Sequence, residues 1–266
     1  YAAMSTVPEG LSITNWIARQ SARYIRERRD PTRPFLLWCS FSKPHPPLDP
    51  PEPYYSMYQG SDLRRPVHAP WSDPGNAPVP FERARQVWGA DLYREESLLR
   101  ARAAYYGLIT QIDFAIGKLF AELKHAELWE DTLILFTSDH GEMLGDHRAM
   151  MKVFPYEASA HVPFIVRLPH AWKRRRVLEE DESLVTHADI LPTLAAAAGA
   201  TPPSNIDGEN LLPRMGVGSE ASDGQRAPRQ PGPAGQPGEQ TGGPRAATGR
   251  RTWLEILGSS WEGIAP

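Results

Sequence analysis

With 266 residues and a formal net charge of −3, the chain has room for one large α/β domain and offers no bulk electrostatic attraction to nucleic acid. Hydrophobic residues make up 41%, enough for a sizeable core, yet no apolar stretch approaches the ~18–20 residues of a membrane span. A single cysteine excludes an internal disulfide framework.

Residues 12–29 read as an amphipathic helix, with Ile13, Trp16, Ile17, Ala22, Tyr24 and Ile25 set among basic side chains. Pro34 precedes the apolar run Phe35–Phe41, the pattern of a buried strand, and Cys39 within it reads as a small core residue. From Pro44 to Pro80 proline is dense and periodicity is absent, and an irregular segment of that length in a compact domain is usually functional or mobile. Tyr105–Leu123 sets Ile109, Ile112, Ile116, Leu119 and Leu123 at helical spacing, a core-facing stripe. Thr132–Thr137 is a β-branched and aromatic run, as in a strand buried on both faces of a parallel sheet. Val162–Leu168 reads as another strand and Thr186–Ala198 as a helix stopped by Gly199. The basic run Lys173–Arg176 is balanced at once by Glu179–Glu182, which predicts a solvated turn. Ala221–Arg250, rich in Gly, Pro, Gln and Arg, cannot bury a core and is expected to be disordered. Residues 1–213 are therefore expected to hold the folded portion and 214–266 a low-complexity tail.

Ser138-Asp139-His140-Gly141-Glu142 follows the strand 132–137 where that strand should end. Ligands in open α/β sheets bind beyond the carboxyl ends of the strands. A carboxylate and an imidazole delivered there together make a hard-metal or acid/base site. Gly141 is expected to let the backbone turn sharply enough for both to face one centre.

The run SDHGEMLGDH, with Lys152, Tyr156-Glu157 and Val162-Pro163-Phe164-Ile165 after it, resembles the C-terminal half of the catalytic domain of a sulfatase, within the alkaline-phosphatase-like metallohydrolases. Lys43-Pro44-His45-Pro46-Pro47, Tyr106-Gly107, Ile112-Asp113, His187–Leu194 and Asp207–Pro213 extend the resemblance over roughly residues 1–213. It implies a mostly parallel central sheet flanked by helices, incomplete at its N-terminus. It also implies a divalent cation held by Asp139 and His140, Ca2+ in typical members and Mn2+ or Zn2+ in relatives. Lys152 would hold an oxygen of the sulfate group, where a fixed cation helps most. His45 would meet the leaving-group oxygen as proton donor, a task that suits an imidazole. His147 would touch substrate, or else be a loop histidine satisfied by the backbone, and Glu142 would turn away to bind backbone amides.

The family matures a cysteine in a Cys-x-Pro/Ala-x-Arg motif to a formylglycine nucleophile. Cys39-Ser40-Phe41-Ser42-Lys43 does not match it. The nucleophile, an arginine beside it and two further metal-binding aspartates cannot be mapped onto residues 1–266, so formylglycine is expected only in a missing N-terminal half. The expected function is a fragment of a sulfuric ester hydrolase acting on a small-molecule or saccharide sulfate, inactive alone. The alternatives are a phosphonate monoester or phosphodiester hydrolase of the same superfamily, or a noncatalytic remnant that binds a macromolecule.

Overall fold

The computed structural model describes residues 1–88, 93–152, 154–172 and 181–217. These fall into two units, one over Tyr1–His170 and one that starts at Ala171. The basic run Lys173–Arg176 and the tail from 218 onward lie outside the described residues.

In the first unit, helix α1 (Ile13–Arg23) runs into one wide turn at Tyr24–Arg28. Ser12 starts it, accepting the Asn15 amide on its hydroxyl at 3.3 Å, which satisfies one of the orphan donors of a first turn. Thr14, Asn15, Ala18 and Ser21 face inward, with Ile25 just beyond, while Ile13 and Trp16 stay exposed. Two short helices follow, α2 (Tyr54–Met57) and α3 (Val79–Val87), with irregular chain between them as the proline density predicts.

Helix α4 (Glu95–His125) is 31 residues long and starts well before the expected Tyr105. Its first turn carries Glu95 and Glu96, favourable at the positive end of a helix. Glu96 also pairs with Arg100 one turn on, at 3.1 Å. The expected stripe of Ile109, Ile112, Ile116, Leu119 and Leu123 is buried. The Gln111 amide crosses from α4 to the Ser12 hydroxyl at 2.9 Å, tying α1 down. Gly107 is glycine because the Tyr54 carbonyl oxygen occupies the space of a Cβ. Backbone thus meets backbone where α2 and the proline-rich segment cross α4.

Two strands are present among the described residues, β1 (Ile134–Thr137) and β2 (Phe164–Arg167), with the short helix α5 (Glu157–Ala160) before β2. They pair antiparallel, Ile134 opposite Arg167 and Thr137 opposite Phe164. This two-stranded ladder is antiparallel, and the isolated bridge between Ala2 and Leu48 is parallel, where a mostly parallel sheet was expected. β1 is half-buried along its length, where burial on both faces was expected, and among the described residues its only strand partner is β2.

The expected strand Phe35–Phe41 is extended but joins no ladder among the described residues. Its burial still alternates with the period of a strand. Phe35, Leu37, Cys39 and Phe41 are half-buried, and Leu36 and Trp38 are 74% and 77% exposed. Phe35, Leu37 and Cys39 gather with Ile134 around Ile25, Leu119 and Leu123. Phe41 and Phe136 gather around Ile112 and Ile116, earlier in α4. Segment 35–41 and β1 therefore run in the same direction along α4, opposite to the helix. The Ser21 hydroxyl donates to the Cys39 sulfur at 3.2 Å, and burial pushes that thiol up.

In the second unit, a turn at His187–Asp189 leads into helix α6 (Ile190–Ala197), which ends before Gly199 as expected. Thr186 and Asp189 form a reciprocal cap. Asp189 also accepts the Glu209 amide at 2.8 Å, and the Thr193 hydroxyl accepts the Leu211 amide at 3.0 Å. Residues 207–211 are thereby tied back onto the helix, so these matching stretches do structural work.

Candidate functional site

At the end of β1 the chain breaks from apolar residues into Ser138-Asp139-His140. The Asp139 side chain is 85% exposed, its Oδ1 accepts the His140 amide at 3.0 Å, and its Oδ2 lies 3.5 Å from His140 Nε2. His140 Nδ1 is 2.7 Å from the Gly141 carbonyl oxygen. A carbonyl only accepts, so that bond assigns the ring hydrogen to Nδ1 and leaves a lone pair on Nε2. A carboxylate oxygen and an imidazole lone pair facing each other call for a proton or a cation between them. A ligating histidine is typically oriented by donating its other N–H to a carbonyl in this way.

Gly141 serves for a different reason than the expected sharp turn. Its backbone is not in the left-handed region, but the Ala158 carbonyl oxygen stands where a Cβ would be. Its amide donates to the Ser159 carbonyl at 2.7 Å, so the turn after β1 lies directly against α5.

The following loop is held from several sides. Glu142 is buried, and its Oε1 accepts the Met151 amide at 2.5 Å and the Leu144 amide at 3.4 Å. Burial pushes the Glu142 carboxyl up, against the pull of those two amides. Met143 donates its amide to Met151 O at 2.9 Å and Gly145 to Ala149 O at 2.8 Å. From α4, the Arg102 guanidinium donates to the carbonyls of Leu144 (3.1 Å) and Arg64 (3.2 Å) and pairs with Asp146. Asp146 in turn accepts the Val67 amide at 3.0 Å. Arg102 and Asp146 were not singled out from sequence. An arginine set inside the otherwise apolar Ala101–Ile109 face of a helix was the one signal available.

Lys152 leaves the end of this loop and places Nζ 2.9 Å from His45 Nε2. His45 Nδ1 lies 2.9 Å from the Pro46 carbonyl oxygen, so it carries the ring hydrogen and Nε2 accepts from the ammonium. The His45 and His140 rings are 6.2 Å apart between centroids. Asp139, His140, His45 and Lys152 thus come together from three places in the sequence. The neighbouring Lys43 is spent on the loop itself, bonded to the Pro47 carbonyl at 2.7 Å and to Asp49.

His147 is placed otherwise. Its amide donates to Val67 O at 2.7 Å, and its ring packs on Trp71 at 5.0 Å and Tyr156 at 5.7 Å. Phe81 and Phe154 complete that aromatic cluster. Among the described residues no group of three or more His, Cys, Asp or Glu side chains is gathered as a metal site. Asp139 Oδ2 and His140 Nε2 are two donor atoms that could hold a cation between them.

A family model described as Sulfatase matches residues 9–200. An arylsulfatase of Clostridium perfringens is 38% identical over 76% of this chain and 42% of its own length. A multifunctional alkaline phosphatase superfamily protein of Trinickia caryophylli is 32% identical, over 80% of this chain and 43% of its own. Among solved structures, a phosphonate monoester hydrolase from Silicibacter pomeroyi superposes with a TM-score of 0.67 at 31% identity, covering 84% of this chain and 45% of that one. The chain spans less than half the length of each of these relatives.

Proposed function

This chain belongs to the sulfatase family, and we propose that it supplies part of the active site of a metal-dependent hydrolase of sulfate monoesters. The observation that carries the reading is the convergence of the Lys152 ammonium and His45 imidazole beside the exposed Asp139–His140 pair. Asp139 Oδ2 and His140 Nε2 would hold a divalent cation, Ca2+ favoured by oxygen donors and Mn2+ or Zn2+ by the imidazole. When bound, that cation neutralises charge on the anionic oxygens of the ester. Hard divalent cations take about six or more ligands, so the remaining donors would come from polypeptide outside these residues.

The chain's own groups then have distinct tasks. Lys152 grips a peripheral oxygen of the sulfate, and the arriving anion draws the ammonium off His45 Nε2. That nitrogen can then take up a proton from solvent and pass it to the departing oxygen. Cys39 is not the nucleophile in this reading, since its sulfur is engaged by Ser21 and packed toward Leu119 and Leu123. A formylglycine outside these residues is. The shared direction of 35–41 and β1 supports their place in a mostly parallel sheet.

The substrate would be the sulfate ester of a small molecule or saccharide. A phosphonate monoester or phosphodiester is the second reading, favoured by the 31% identity to the Silicibacter enzyme. The test joins this chain to the unmatched part of the Clostridium perfringens arylsulfatase and compares hydrolysis of p-nitrophenyl sulfate and p-nitrophenyl phenylphosphonate. Sulfate ester turnover is expected, and Lys152→Ala should lower kcat/KM by about 100- to 1,000-fold. A folded, calcium-binding chimera that turns over neither ester would sink the proposal, and preference for the phosphonate would select the second reading.

A further inference from the structure

His45 is exposed, and its ring nitrogens meet the Pro46 carbonyl oxygen and the Lys152 ammonium, each at 2.9 Å. The place of the ring is therefore set by the course of the loop that carries it. That loop is anchored at both ends. Before it, Phe41 packs toward Ile112 and Ile116. After it, Leu48 is wholly buried, its amide donating to the Tyr1 carbonyl at 2.8 Å and its carbonyl accepting the Ala3 amide at 3.0 Å. Between these anchors, Pro44, Pro46 and Pro47 each fix one torsion and give up an amide donor. Among the described residues, no backbone-to-backbone hydrogen bond ties 42–47 to the rest of the fold.

A side chain supplies what the main chain lacks. The Lys43 ammonium donates to the Pro47 carbonyl at 2.7 Å and pairs with Asp49. Those bonds span the histidine from two residues before it to four residues after it. The lysine side chain is only 15% exposed, so a stem that ordinarily sweeps through solvent is held in one place. Charge-assisted bonds of this kind are stronger than neutral ones and hold geometry well. Residues 43–49 are thereby closed into a ring, with the imidazole exposed between its ends.

We propose that Lys43 and Asp49 form a clasp that positions His45 against Lys152 and the departing oxygen. Both are positioning residues, touching neither the ester nor the cation. The proton still travels from His45 Nε2 to the departing oxygen, and the clasp itself gives up none. Displacing a proton donor by about 1 Å can cost ~100-fold in rate. That cost falls on esters with a basic leaving oxygen, since those depend most on receiving a proton. The effect on turnover rests on the hydrolytic reading, whereas the placement of the ring is legible in the chain alone.

The first measurement is the nitrogen NMR signal of His45 Nε2 in the 266-residue chain, identified by its loss in His45→Gln. Lys43→Met and Asp49→Ala should each move that signal at least half as far as Lys152→Ala does, and in the same direction. The two substitutions change local charge in opposite senses, so a purely electrostatic influence would move the signal in opposite directions. Lys43→Arg, which can still reach both oxygens, should keep the native signal. An unmoved signal, opposite shifts, or global unfolding of either variant overturns the clasp. The second measurement uses the chimera with phenyl sulfate and p-nitrophenyl sulfate. Lys43→Met should lower kcat/KM by ~10- to 100-fold for phenyl sulfate but by less than ~3-fold for the nitrophenyl ester, whose leaving oxygen needs little proton. Equal losses on the two esters overturn the clasp as well. A native chimera that turns over neither ester sinks the hydrolytic reading instead, and the ring signals then decide the clasp.

Discussion

The two sides of Gly141 are built to opposite standards. After it, residues 142–151 are fixed by a buried carboxylate on two amides, by an arginine reaching from α4, and by cross-loop amide bonds. Before it, Asp139 and His140 have mainly each other and a neighbouring carbonyl, and the aspartate is 85% exposed. One side spends its polar groups on holding shape. The other keeps oxygen and nitrogen lone pairs unspent. A loop of the first kind delivers Lys152 to a fixed place beside His45, and under the proposed function a pair of the second kind would receive the cation. Rigidity behind and vacancy of partners in front is what preorganised electrostatic catalysis requires.

The contrast breaks most severely at Arg102. Arg102→Ala removes one partner of a largely buried pair and leaves Asp146 and two carbonyls short of donors, so it should cost about 3–5 kcal/mol in urea melts. A loss below about 1 kcal/mol would mean that the loop holds itself without the helix. Gly141→Ala comes next. Its new methyl must displace the Ala158 backbone, and overpacking of this sort costs about 1–3 kcal/mol.

A subtler probe is the pH dependence contributed by Glu142. Its folded-state pKa is raised by burial, so its favourable contribution is fullest below the ordinary carboxylate range and is lost as pH rises through the raised value. The stability of the native chain relative to Glu142→Gln should therefore decline over that interval, read from paired melts at stepped pH. A gap that widens with pH would show that the two amide bonds outweigh burial. The smallest effect on stability belongs to Asp139→Asn, within about 0.5 kcal/mol for so exposed a group. Calorimetric titration of the chimera with Ca2+ or Mn2+ should nevertheless show that variant losing its cation affinity. Equal affinity in the two proteins would remove Asp139 from the ligand set.

Much of the scaffold was legible because its signals are local. The α4 stripe and β1 are written in periodicity within one element, and the break at Ser138 is visible in a single line of sequence. Pairing is not local, so the strand-like alternation of Phe35–Phe41 could be read, but not that it joins no ladder among the described residues. The same limit hid Arg102, whose partners Arg64, Leu144 and Asp146 are distant in sequence. Gly141 was noticed for its freedom to turn, whereas the constraint is a carbonyl from α5 that no reading of its own neighbourhood contains. His147 carried no cue to its place between Trp71 and Tyr156.

The contact of Gly107 with Tyr54 reaches further than its size implies. Pro50 lies 3.4 Å from the same vacant Cβ position, and Leu48 beyond it is wholly buried against Ala104 and Leu108. The segment that carries His45 is therefore held on the helix both at this glycine, where backbone meets backbone, and by the packing of Leu48, with main-chain bonds to residues 1–5 on its other side. A methyl added at Gly107 would press on the Tyr54 carbonyl and push this segment away from α4, a strain passed along the chain toward the loop that presents His45 to Lys152.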